Sequence, residues 1–173
     1  MPISTLFSMH YEMKKRRISL TMTTIIEHQT LELHHLISFR GLIDLQEIPA
    51  LEKKLEQEIH LAGAKRESGM IKAVHGFLYG KYDIELLIPI NKWIHDTDQY
   101  KYKETLKIVN ALLGKHIGNP DEADETLLEL EHYISTNQYL PTSVAYQVVK
   151  KINGAEPEKS EIDIYIGVSA NIL

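Results

Sequence analysis

The stretch Ile84-Glu85-Leu86-Leu87-Ile88-Pro89-Ile90 and its counterpart Ile162-Asp163-Ile164-Tyr165-Ile166-Gly167-Val168 decide how this chain of 173 residues folds. In each, an unbroken aliphatic row alternates with a mixed row that holds one carboxylate. That is the period of a strand with one face against a core. Glu85 and Asp163 stand 78 positions apart, and Gly41 and Gly118, each closing an earlier apolar run, stand 77 apart. A near-constant offset between like segments marks an internal duplication.

Working outward from the first copy, Leu31, Leu33, Ile37 and Phe39 alternate with Glu32, His34, Ser38 and Arg40, which predicts a strand from Thr30 with His35 on its apolar side. Gly41 ends it. Leu51, Leu55, Ile59 and Ala62 then form the stripe of an amphipathic helix. Asp44 with Glu47 has the form of a capping box, while Pro49 belongs in a first turn and puts the regular helix start near Ile48. Gly63 can supply a left-handed cap. Strands over 70–79 and 83–90, joined through Gly80-Lys81, complete the unit. The second unit repeats the order: a strand over 103–116, a helix opened by Asn119-Pro120 with Asp121, Glu122, Asp124 and Glu125 in its first turns, then strands over 144–151 and 161–169.

One such unit has too few strands to stand alone. The expected fold is therefore α+β: duplicated strand–helix–strand–strand units forming one antiparallel sheet with both helices on one face. Unit one covers about 23–92 and unit two about 100–173. Residues 1–22 read as a peripheral extension, with Lys14-Lys15-Arg16-Arg17 ahead of a short apolar run and Met22 as an alternative start.

Composition narrows the function classes. A net charge of -5 argues against nucleic-acid binding by the domain as a whole, which needs a basic face. The absence of cysteine removes disulfides, thiolate metal sites and a Cys nucleophile, and suits a cytoplasmic setting. No apolar run approaches the roughly 20 residues of a membrane span. Adjacent His34 and His35 point to opposite faces of a strand, and no His-x-His or His-x-x-x-His occurs, so neither a metal nor another cofactor is expected. His35 and His75 read as strand histidines satisfied by neighbours. No nucleophile elbow or Gly-rich phosphate loop is present, so no catalytic residue is assigned.

With its duplicated setting, Glu85-Leu86-Leu87-Ile88-Pro89-Ile90 resembles the Glu-x-x-x-Pro-hydrophobic strand of the GyrI-like effector-binding domains. In that family the strand closes the second unit, with its acidic residue toward a ligand groove. Here Glu85 and Pro89 stand in the first unit, and the second holds Asp163 and Gly167. The resemblance implies a stand-alone member that binds small molecules.

Alternation gives this implication residues. The aliphatic rows should meet the helices, leaving Glu85, Leu87, Asp163 and Tyr165 on a free face of the sheet. There Glu85 and Asp163 would be anionic contacts, and Leu87, Tyr146 and Tyr165 apolar walls, for an amphipathic ligand whose matching charge is cationic. Tyr79, Tyr82, Trp93, Tyr100 and Tyr102 cluster near the end of unit one and are expected to pack between units. Two other classes compete. A protein-interaction module, such as an inhibitor or chaperone of a bacterial partner, would show a large apolar patch on the open sheet. A groove-based hydrolase would need a carboxylate beside an aromatic, as Glu85 and Tyr165 could provide.

Overall fold

The computed structural model describes residues 23–170, so the extension expected over 1–22 lies outside the described residues. Strand β1 (Thr24–Ile43) leads to helix α1 (Ile48–Leu61) and the hairpin of β2 (Ile71–Leu78) and β3 (Lys81–Pro89). The second unit runs β4 (Lys101–Gly118), α2 (Ala123–Thr136), β5 (Tyr139–Pro141), β6 (Tyr146–Lys151) and β7 (Ser160–Ala170). Among the described residues, β5 is the strand without a counterpart in the first unit.

Local chemistry sets the helix ends. The Asp44 N–H donates to Glu47 Oε2 at 2.8 Å in the expected capping box. The box caps a 3-10 turn, Leu45–Glu47, and Pro49 sits in the first turn of α1 beyond it. Gly63 adopts φ 63°, and the N–H groups of Gly63 and Ala64 return to the carbonyls of His60 and Ile59, each at 2.9 Å. Asn119 Oδ1 accepts from the Asp121 N–H at 3.1 Å, and Pro120 opens a second 3-10 turn before α2.

Among the described residues, every strand pairing is antiparallel. The order is β4-β1-β3-β2-β6-β7-β5, and β4 also pairs with β7, so six strands close a ring. Phe39, Leu86, Lys72, Gln147, Ile164 and Gly114 oppose one another in turn across β1, β3, β2, β6, β7 and β4, and so share one face. Leu86 lies in the core cluster with Leu55 and Ile59 of α1, and Ile164 in the cluster with Leu130 and Ile134 of α2. A single cross-strand row thus meets both helices. They occupy one face of the sheet, as the aliphatic rows predicted.

The alternation of β1 departs from expectation. Leu31 and Leu33 do not share a face with Ile37 and Phe39: the first two, with Leu36, pack on the face away from the helices, and the last two pack under α1. The cause is His35. Its φ of 52° is left-handed, a conformation in which His is enriched among non-glycine residues, and it resets the alternation. Its ring is exposed and not on the apolar side; Nδ1 lies 2.5 Å from the Tyr102 hydroxyl. The aromatic cluster follows expectation in part. Tyr100 and Tyr102, at the start of unit two, pack into the α1 core of unit one and so do lie between units; Tyr82 joins the same core from β3, while Trp93 and Tyr79 are exposed. Among the described residues, no helix is long and apolar enough to cross a membrane.

Candidate functional site

Closing the ring gives the sheet an inner face. Leu31, Leu106 and Ile108, from the long β1–β4 ribbon, meet Ile71, Leu87 and Val148 there in a third core cluster. The mixed rows expected on a free face are therefore covered. Leu87 is fully buried, Glu85 retains 8% of its exposure and Tyr146 9%.

Register defines which candidates meet. Arg40, Glu85, Ala73, Tyr146 and Tyr165 oppose one another in turn across β1, β3, β2, β6 and β7. The adjacent inward row runs Ser38, Leu87, Ile71, Val148 and Asp163. Glu85, Leu87 and Tyr146 are thus near neighbours, and Tyr165 packs against the same cluster. Asp163 is set apart. β2 and β6 separate its strand from that of Glu85, and its direct opposite on β4 is Lys115.

Glu85 is heavily partnered. Its Oε1 accepts from Lys103 Nζ and Ser38 Oγ, both at 3.1 Å, and its Oε2 lies 3.2 Å from His75 Nε2. Burial pushes the carboxyl up, but the hydrogen bond and charge of Lys103, with Ser38 and His75, outweigh it and hold the group below the usual range. Asp163 goes the other way. Burial raises it, aided by Glu161, and Lys150, Lys115 and a hydrogen bond from Tyr165 offset only part. Tyr146 is pushed up by burial and then by the charge of Glu85.

Beside Glu85, Arg40 grips Asp83 in a two-pronged bond of 3.1 Å from Nε and 2.9 Å from Nη2. Leu42, opposite Asp83, and Leu78, opposite Lys81, continue this face outward and are exposed, leaving an apolar rim beyond the buried carboxylate. A shallow depression lined by Ile59, His60 and Arg66 lies by the end of α1 and involves none of these groups.

Gly167, standing where unit one has Pro89, also has a physical reason. Its N–H donates to Ser143 Oγ at 2.9 Å, and an added Cβ would lie 2.8 Å from Thr142 Oγ1. Proline could not donate this bond. Sequence reading missed Ser38, His75 and Lys103 as partners of Glu85. Ser38 follows from strand alternation, but His75 is the extra residue of a bulge between Val74 and Gly76, and Lys103 comes from the other unit.

No protein-family model and no curated protein matches the sequence. Solved structures do match. An EcmrR chain from a cryo-EM structure of an EcmrR–DNA complex aligns over 96% of this chain at 20% identity and TM-score 0.68. This chain spans 64% of that one, less than two thirds of its length. The EcmrR C-terminal domain aligns over 88% of this chain and 99% of its own, at 16% identity and TM-score 0.69. SAV2435 bound to tetraphenylphosphonium aligns over 86% of this chain and 94% of its own, at 16% identity and TM-score 0.53. The GyrI-like resemblance is borne out at the level of the fold.

Proposed function

We propose that this chain is a small-molecule-binding domain that holds an amphipathic organic cation against Glu85, with Leu87, Tyr146 and Tyr165 as walls, and acts by sequestration or sensing. The observation that carries the proposal is a buried carboxylate set in an apolar interior beside a buried tyrosine. A charge there attracts a matching charge far more strongly than it would in water. The exposed Leu42 and Leu78 extend the same face and suit the apolar part of such a ligand. SAV2435, which shares the fold, is bound to a lipophilic cation of this class. Asp163 is a weaker contact than Glu85, because β2 and β6 separate its strand from that of Glu85 and burial favours its neutral form. DNA binding is not included: the likeness to EcmrR spans the whole of its C-terminal domain but only part of its full chain.

The test is calorimetric titration of tetraphenylphosphonium and of neutral triphenylphosphine oxide into wild type, Glu85→Gln and Asp163→Asn. Contacts to a charged group are worth about 1.5–3 kcal/mol, so Glu85→Gln should weaken the cation by roughly 10- to 150-fold and leave the neutral probe unaffected. Failure of the cation to bind both wild type and Lys103→Met, or unchanged binding in both acidic-residue variants, would remove the acidic site. The exposed Leu78 and Tyr79 at the β2–β3 hairpin tip would then favour the protein-interaction alternative.

A further inference from the structure

Resting on that proposal, we infer that Lys103 is a built-in competitor for the site, an ammonium from the other unit that occupies the place of the ligand's cationic centre and must be displaced before a ligand can bind.

The carboxylate of Glu85 offers about four lone-pair positions. Lys103, Ser38 and His75 take three of them. Ser38 and His75 satisfy oxygens without cancelling a full charge when the imidazole is neutral. Lys103 does cancel it. With its Nζ 3.1 Å from Oε1, the pair presents a dipole to the interior, and a second cation gains little by approaching.

The two partners are not equally held. Glu85 stands on β3, between β1 and β2, and its side chain keeps 10% of its exposure, whereas that of Lys103 keeps 35%. A lysine stem is long and flexible, and its ammonium is strongly hydrated, so Lys103 can return to water while Glu85 stays in place. The other nearby bases are engaged elsewhere: Arg40 holds Asp83, and Lys101 lies 3.5 Å from Asp96. Lys103 is therefore the exchangeable charge.

Exchange sets the ligand class. A small hydrophilic cation that replaced Lys103 would trade one ion pair for another and gain nothing further. A bulky cation adds buried apolar area along Leu42, Leu78 and Tyr146, at roughly 25 cal/mol per Å², and by excluding water it pairs with Glu85 more strongly than the partly exposed Lys103 does; together these displace the lysine. Lys103 thus acts as a filter that rejects simple cations and admits lipophilic ones.

Lys103→Met keeps the length of the stem and removes its charge. Against wild type, it should bind tetraphenylphosphonium about tenfold more tightly or better, and bind tetramethylammonium measurably where wild type does not, with triphenylphosphine oxide unchanged. Reductive methylation of Lys103 in wild type, read by mass spectrometry, gives a second measurement that requires no variant to fold. Labelling should be slow in the free protein and faster under saturating tetraphenylphosphonium. If wild type binds the phosphonium and Lys103→Met binds it no more tightly, or if labelling does not rise on binding, the competitor role is overturned while the acidic site stands. Binding by the variant alone would support the competitor role in its strongest form. No binding by either protein would overturn both proposals.

Discussion

Replacing Glu85 by Gln preserves shape and removes one charge, and its effect on stability can be worked from the geometry. The amide keeps one acceptor oxygen but turns an NH2 group toward donors now served by a carboxylate: Lys103 and Ser38 on one side, His75 on the other. Losing a hydrogen bond to a charged group removes about 1.5–3 kcal/mol. Two effects reduce that figure: Lys103 is about a third exposed and can rehydrate, and the variant no longer buries a charge. A net loss of about 1–2 kcal/mol remains, or roughly 2–8 °C in Tm for a chain of this size. The pH dependence follows from the direction of the shift. Because its partners hold the folded pKa of Glu85 down, its contribution is fully present above the unfolded pKa and disappears as pH falls through the folded value. Urea unfolding of both proteins should therefore show the full deficit at pH 7 and a closing gap below about pH 4. A variant as stable as wild type at pH 7, or a deficit that persists unchanged in acid, would show that Lys103, Ser38 and His75 do not stabilise the Glu85 carboxylate.

Asp163→Asn should act in the opposite sense. Burial raises the folded pKa of Asp163, so the ionised group is disfavoured at neutral pH; the variant should be the more stable at pH 7, with the gain shrinking as pH falls, as urea melts across that range would show. Gly69→Ala would place a Cβ 1.8 Å from the Val149 carbonyl oxygen, beside the 3.0 Å bond from the Val149 N–H to the Met70 carbonyl. Overpacking together with that lost bond should destabilise by about 2–4 kcal/mol, read by thermal melting. Removing residues 1–21 should leave Tm nearly unchanged, because strand periodicity begins only near Thr23; a large drop would place part of the core in that segment.

Much of the fold was legible because its strands keep a strict period. Ile84, Leu86 and Ile88, like Ile162, Ile164 and Ile166, point to the helices they cover, and Asn119, Pro120 and Gly63 mark turns through side-chain and backbone chemistry. What escaped reading were breaks in that period and contacts across distance. His35 carries no glycine-like signal of its left-handed φ, so the phase change between Leu33 and Leu36 was hidden. Strand β5 spans only Tyr139–Pro141, too short to show a period. Of the candidate site, alternation placed Glu85, Leu87 and Tyr165 on the same side of the sheet, but not the ribbon that covers them. Nor could it find Lys103, since Lys103 and Glu85 meet only after one unit closes over the other.

The two seams joining the halves are unequal. β1 and β4 run together from Thr24 to Ser38, whereas β2 and β6 pair only where Ile71, Lys72 and Ala73 oppose Val148, Gln147 and Tyr146. Mechanically, the molecule has a spine and a clasp. The opening free energy of a local region follows the bonds and buried contacts it must break, so the clasp is the first place for the shell to part. Its last pair, Ala73 with Tyr146, lies directly beside Glu85 in the same row. The weakest line in the shell therefore runs past its most buried charge, and a guest passing there would bend the halves about the spine without unfolding either.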